Sequence, residues 1–424
     1  MRIAMLSYHT CPLALLGGKD TGGMNVYVRD LTRYLGRIGI QVDVFTRSQD
    51  EHVPHVLHDL GYGNRVVHVP AGPEVPLPKK DLAAYLPAFV EGIKRFALNK
   101  GIQYALIHSH YWMSGLAALQ LKKDWQIPVI HMFHTLGVMK NRVAQSPEEM
   151  EGEYRISGEQ EVLDGADAIV AATPAELAQL QWLYKTDTQR IVVIPPGVDT
   201  EHFYPIPSDE AKEFIGVPPK DQMLLFVGRI EPLKGLDVLI EALGRFCHER
   251  ENRNSRLFLA VIGGDPGADP ELMSDEMTRV QALREQYGVN DLVTFLGKRG
   301  QDTLPYYYSA ADAVVVPSHY ESFGMVALEA MACGTPVVAS QVGGLAFLVQ
   351  DGVTGFTVPD GEPEALCGRL RALISDHRLR LRMGEQAANF AREYAWPKIT
   401  DRIVAVYKQA LSSNSHQEGI SQPG

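Results

Sequence analysis

The sequence is poor in cysteine, and the four it has, at positions 11, 247, 333 and 367, follow neither a disulfide framework nor a metal-ligand spacing. Such a chain suits a reducing compartment, and a cytoplasmic location is expected. No apolar run approaches the length needed to cross a bilayer, so no integral membrane segment is expected. The opening residues Met1-Arg2-Ile3-Ala4-Met5-Leu6-Ser7 lead straight into a strand pattern, without the layout of a secretory leader. Positive charge is also scarce. The 40 Lys and Arg against 51 Asp and Glu give a formal net charge of −11, which argues against nucleic acid as a partner. Any anionic ligand must then be held by a local basic pocket. Also missing is the dinucleotide fingerprint Gly-x-Gly-x-x-Gly with its acidic residue about twenty positions on, which excludes a typical nicotinamide oxidoreductase.

What is present is a sustained alternation of short apolar runs with amphipathic helical stretches, the pattern of βαβ units and a parallel sheet. The runs of the first half are 2–7, 41–46, 66–69, 105–108, 129–131, 168–171 and 191–194; they restart at 223–227, 256–262, 293–296, 313–316, 337–339 and 355–358. A chain of 424 residues, 45% hydrophobic, exceeds what one core usually organises. The expected fold is α/β, with two Rossmann-like, doubly wound parallel-sheet domains facing across a cleft, the default active site. The turn-rich segment Pro195-Pro196-Gly197-Val198-Asp199 places the boundary near 198. Expected domains are 1–197 and 198–397, with a final helix 398–412 returning to the first. Residues 413–424, rich in Ser, Gln and Gly, are expected to form a disordered tail.

The most informative segment is Glu321-Ser322-Phe323-Gly324-Met325-Val326-Ala327-Leu328-Glu329, directly after the apolar run Ala313–Pro317. It predicts a strand, a glycine loop and a helix. Glu321 then lies at the carboxyl end of a strand, where open α/β sheets bind ligands. Glu329, a turn inside the helix, reaches hydroxyls of the same ligand, and amides near Gly324 point outward as donors. Arg229 and Lys234 lie on the loop after the first strand of the second half. The fork of Arg229 can grip a diphosphate, and Lys234 adds a point charge beside a helix start. In the first half, Gly22 and Gly23 precede a helix and leave room for phosphate or sugar, with Asn25 able to bridge polar groups. The histidines of His108-Ser109-His110 and of His131–His134 sit on strands whose alternation sends neighbours to opposite faces, so they are not expected to converge on a metal.

Arg229, Lys234, Glu321 and Glu329 together resemble the pattern of the retaining, nucleotide-sugar-dependent family 4 glycosyltransferases, which have the GT-B fold; the resemblance extends over nearly the whole chain. It implies that Arg229 and Lys234 bind the donor diphosphate, Glu329 the ribose and Glu321 the transferred sugar. It implies further that amides of Phe323, Gly324 and Met325 bind donor hydroxyls, that Arg299 lies near the base and that His134 contacts the sugar's 6-hydroxyl. No cofactor or metal is then required. The leaving diphosphate is stabilised by side-chain cations, and the donor phosphate helps deprotonate the acceptor on the same face.

Lys80, Tyr111, Thr135 and Arg155 match positions by which two kinds of family member bind a phosphorylated acceptor: sucrose-phosphate synthases and the inositol-phosphate N-acetylglucosaminyltransferase of mycothiol synthesis. The runs Gly22–Val28 and His108–Trp112 and the variant Ser322 are similar to the inositol-phosphate enzyme; Tyr85–Val90, His134–Gly137 and Ile194–Val198 are similar to sucrose-phosphate synthases. The expected reaction is transfer of glucose from UDP-glucose to fructose 6-phosphate. The alternative is transfer of N-acetylglucosamine from UDP-N-acetylglucosamine to inositol 1-phosphate. A non-catalytic sugar-nucleotide sensor would share the same pocket.

Overall fold

The computed structural model describes residues 1–14, 21–144, 146–248, 256–264 and 274–420. Each predicted apolar run is a strand. In chain order these are β1 (Arg2–Leu6), β2 (Gln41–Arg47), β3 (Val56–Leu57), β4 (Arg65–Val69), β5 (Leu106–His110), β6 (Val129–Met132), β7 (Ala168–Ala171) and β8 (Ile191–Val193). The second series is β9 (Gln222–Val227), β10 (Leu257–Ile262), β11 (Val293–Gly297), β12 (Ala313–Val316), β13 (Val337–Ser340) and β14 (Gly355–Val358). The one addition to the sequence expectation is β3, two residues antiparallel to β4 at a sheet edge, too short to show as an apolar run.

The strands form two sheets of GT-B type. The first is eight-stranded in the order β3-β4-β2-β1-β5-β6-β7-β8, the second six-stranded in the order β11-β10-β9-β12-β13-β14. Apart from β3 all pairings are parallel, which explains the Val- and Ile-rich runs: with helices on both faces, strands such as Ala313–Val316 and Val337–Ser340 are buried at every position. Each sheet has its own apolar core. In each, the strand order reverses beside the first strand, between β1 and β5 and between β9 and β12. The loops leaving those strands at their carboxyl ends diverge and leave a crevice.

Residues pack into two compact units, the described parts of 1–197 with 396–420, and those of 198–395. The helix Trp396–Ile420 packs on the helix Gly23–Arg37 of the first unit, with Trp396 stacked on Tyr34 and edge-on to Tyr27. This corrects the expected tail: residues 413–420 continue the helix, and 421–424 lie outside the described residues. Extending an existing helix requires no new nucleus, so poor helix formers can be carried along. Ser412 and Ser413 return their hydroxyls to the carbonyls of Lys408 and Gln409.

Gly235 holds the crevice of the second sheet in shape. It has φ +64, and a Cβ there would lie 2.0 Å from the carbonyl oxygen of Pro317, so the loops after β9 and β12 touch at this point. Gly235→Ala is expected to lower unfolding free energy by about 1–3 kcal/mol in urea titration; an unchanged midpoint would mean the two loops separate freely.

Candidate functional site

In the second unit, the loop contact at Gly235 and Pro317, with the Leu233 carbonyl accepting from the His319 amide at 3.0 Å, brings the predicted cation and carboxylate together. Lys234 Nζ lies 2.6 Å from Glu321 Oε2, each side chain about a fifth exposed. Arg229 Nη1 lies 2.7 Å from Glu231 Oε1. The Glu321 backbone is fixed by its carbonyl, which accepts from the Gly344 amide at 2.9 Å. Gly324 adopts φ +107 and turns the chain into the helix Met325–Ala332, whose start carries no side-chain cap. The first amides of that helix, beside Phe323, are therefore available to an anion or hydroxyl.

Glu329 is buried, and Tyr308 Oη donates to its Oε2 at 2.8 Å. Burial, and then the Glu329 charge, hold the Tyr308 phenol well above its ordinary pKa, so it remains the donor. On the next residue, Tyr307 Oη accepts from Arg299 Nε at 3.1 Å. Sequence reasoning passed over this pair. Its signal was the run Tyr306-Tyr307-Tyr308 in the short helix Leu304–Ala310.

In the first unit, Gly22 is extended, and no atom of the described residues lies within 4 Å of where a Cβ would be. Asn25 differs from expectation. Its Oδ1 accepts from the Gly22 amide at 2.9 Å, and its Nδ2 donates to Thr10 Oγ1 and the Cys11 carbonyl, both at 2.7 Å. Both its N–H donors are spent on the chain, so it braces the loop against β1.

Two non-glycine residues with positive φ end neighbouring strands: Tyr111 (φ 72) after β5 and His134 (φ 63) after β6. Strain of this kind collects at functional sites. It also overturns the expectation that the histidines stay apart. His108 and His110 share one face of β5, with ring centroids 4.3 Å apart, and the left-handed turn at His134 brings its ring onto that face, with Nε2 3.0 Å from His110 Nδ1. Only His131 faces away, bonded through Nδ1 to Ser109 Oγ at 2.8 Å. Among the described residues no group of three or more His, Cys, Asp or Glu is arranged to hold a metal ion.

Beside them lies a charged cluster. Arg155 is buried; its Nε donates to Glu159 Oε1 (2.9 Å), Nη1 to Glu151 Oε1 (2.5 Å) and Nη2 to Thr135 Oγ1 (3.0 Å) and the Thr135 carbonyl (3.1 Å). Its Cζ stands 5.0 Å from the centre of the Tyr111 ring. Lys79 Nζ approaches the same ring at 5.7 Å. The expected Lys80 does not reach this ring and Lys79 does: Pro78 precedes the helix Lys79–Leu82, consecutive helical side chains point about 100° apart, and Lys80 is the exposed one. His9, not foreseen, has its ring centroid 4.3 Å from that of Tyr111, tilted to it, with Nδ1 buried and unpartnered among the described residues. Burial, and then Lys79, His134 and Arg155, hold it neutral.

Comparison with known proteins identifies the family. The family described as Glycosyltransferase Family 4 matches residues 21–202, and that described as Glycosyl transferases group 1 matches residues 207–390. The chain is 41% identical over 412 residues to D-inositol 3-phosphate glycosyltransferase 2 of Catenulispora acidiphila, covering 97% of this chain and 95% of that one. It is 40% identical over 410 residues to the D-inositol 3-phosphate glycosyltransferase of Actinosynnema mirum, covering 96% and 97%. Among solved structures, the sucrose-phosphate synthase of Thermosynechococcus elongatus is 34% identical, with a TM-score of 0.88 and coverage of 97% and 99%. The chain belongs to the family 4 glycosyltransferases of GT-B fold. It is therefore an enzyme class that moves a sugar from a nucleotide-sugar donor to a small-molecule acceptor. No described helix is long and apolar enough to cross a membrane.

Burial presses His108 and His134 down to a pKa of about 3 from an ordinary 6.5. Between those values the unfolded chain binds more protons than the folded one, so this contribution is complete above about pH 6.5 and is lost as pH falls toward 3. The slope is at most about 1.4 kcal/mol per pH unit for each histidine. Urea midpoints should drop between pH 7 and pH 5, and His108→Phe should shrink the drop; equal drops in both chains would contradict this.

Proposed function

We propose that the chain is a retaining transferase that moves a sugar from a UDP-sugar to a phosphorylated polyol, and that the polyol is an inositol phosphate with UDP-N-acetylglucosamine as donor. The observation that carries the acceptor class is the buried Arg155, bonded to Thr135 and facing Tyr111 with Lys79 and His9 alongside. Cations fixed against an aromatic wall at the ends of β5 and β6 suit a dianion on a small molecule. Identity of 41% to a D-inositol 3-phosphate glycosyltransferase against 34% to a sucrose-phosphate synthase supports inositol over fructose. So does Met24, whose side chain packs on the core and offers no hydrogen-bond donor to a sugar hydroxyl. This reverses the order expected from the motifs alone. The second reading, glucose transfer to fructose 6-phosphate, is favoured by the TM-score of 0.88 to the sucrose-phosphate synthase.

In this reading Arg229 and Lys234 take the donor diphosphate, exchanging their bonds to Glu231 and Glu321 for the phosphate oxygens. Glu321, released, accepts hydroxyls of the transferred sugar, aided by amides at Phe323, Gly324 and Met325. Glu329, oriented by Tyr308, holds the ribose, and Arg299 lies toward the base. His134 contacts the 6-hydroxyl of the sugar. Charge on the leaving UDP is met by side chains and helix amides, with no metal needed, and a donor phosphate oxygen accepts the acceptor's proton on the face where the new bond forms.

A panel of UDP-glucose, ADP-glucose and UDP-N-acetylglucosamine against inositol phosphates and fructose 6-phosphate tests the assignment; turnover of fructose 6-phosphate alone would establish the second reading. Release of UDP only when acceptor is present separates an enzyme from a sensor. Glu321→Gln and Arg229→Ala should each lower kcat/KM by about a hundredfold or more.

For the acceptor, Lys79→Ala should raise KM by roughly ten- to a hundredfold, the effect of one lost charged hydrogen bond, while Lys80→Ala stays within about twofold. The reverse order would restore Lys80 to the clamp. Activity should survive excess EDTA, and loss restored by Mg²⁺ would refute the metal-free account.

A further inference from the structure

The contact between His110 and His134 joins two imidazoles through His110 Nδ1 and His134 Nε2, 3.0 Å apart. Both rings are held neutral by burial, so each carries one proton, and only one of them can donate in this bond. Two arrangements satisfy it, and the far side of His110 chooses between them. His110 Nε2 is buried and takes no partner among the described residues. The rings packed on His110 are those of His108, tilted with centroids 4.3 Å apart, and Tyr27, edge-on at 5.5 Å. A proton on that nitrogen would be an orphaned N–H in the interior, whereas a bare lone pair there is the lesser penalty. The proton of His110 therefore belongs on Nδ1, facing His134.

We propose that His110 is a positioning residue: its Nδ1–H donates to His134 Nε2 and so confines the single proton of His134 to Nδ1. His134 then meets its ligand as a hydrogen-bond donor and has no free lone pair with which to act as a base. This is the opposite of the Nε2–H tautomer that neutral histidine side chains favour in water, so the protein sets the choice. The φ of +63 at His134 is part of the same device, because it aims the ring at β5 and leaves Nδ1 turned from His110. Tyr27 and the Trp396 stack behind it close the ring edge-on, at 5.2 Å from Tyr27 to His134 and 5.4 Å from Tyr27 to Trp396. The consequence for the reaction rests on the reading that His134 contacts the transferred sugar; the tautomer itself does not.

The test is a two-bond ¹H–¹⁵N correlation spectrum of the full chain labelled at histidine, with His134 assigned by comparison with His134→Ala. The expected result is a protonated Nδ1 and an unprotonated Nε2 on both His110 and His134. His110→Leu should return His134 to the Nε2–H tautomer and lower kcat by about tenfold, with a smaller change in acceptor KM. His110→Asn, whose amide offers a donor near the place of Nδ1, should restore the Nδ1–H tautomer and most of the lost kcat. A protonated Nε2 on His134 in the unmodified chain, or an unchanged tautomer in a folded His110→Leu, would overturn the proposal. If the tautomer is as expected but His134→Ala turns over at the normal rate, the role of His110 stands and the contact of His134 with the sugar is refuted.

Discussion

The reversal of strand order beside β1 and beside β9 is the constraint on which the rest depends. Only there do two adjacent parallel strands send their connections to opposite faces, leaving amides and side chains at the strand ends uncovered. Several of the clustered residues described above sit on loops at the carboxyl ends of strands. In one unit they follow β1, β5 and β6; in the other they follow β9 and β12. The same geometry makes close contact between loops unavoidable, which is why a glycine stands where a Cβ would meet Pro317.

Three of the cations described above are paired with the chain's own carboxylates. Lys234 is paired with Glu321, Arg229 with Glu231, and Arg155 with Glu151 and Glu159. With a net charge of −11, a loose cationic pocket would be an exception to the whole surface, and internal pairing holds long side chains in place before any anion arrives. In the proposed reading an incoming phosphate replaces one carboxylate partner with another anion of similar geometry. Net affinity then arises from small differences between partners, and selectivity from how well the fixed fork fits.

Strands, their grouping into two sheets and the loops at the strands' carboxyl ends were legible because parallel strands buried on both faces must be apolar throughout. The Glu321 to Glu329 segment was legible for the same reason: a strand, a glycine and a helix leave little freedom in where a carboxylate lands. What escaped depended on one torsion or one step of rotation. Lys79 and Lys80 are equivalent in composition, and the start of a four-residue helix separates them. His134 joins His110 through a single left-handed φ that strand alternation does not foresee. Asn25 was correctly read as a bridge, but the groups it bridges belong to its own loop, which pattern alone does not reveal. The tail was misjudged from composition because a helix already under way tolerates residues that could not begin one.

Tyr407, on the last helix, bonds His108 Nδ1 at 2.7 Å, beneath the floor of the first sheet. The two residues are 299 positions apart, with the whole second unit between them in sequence. On a ribosome, the opening half emerges long before the last helix exists, and His108 lacks this partner while another domain is made. The order of synthesis and the order of assembly are therefore interleaved, and the first half reaches its finished state last.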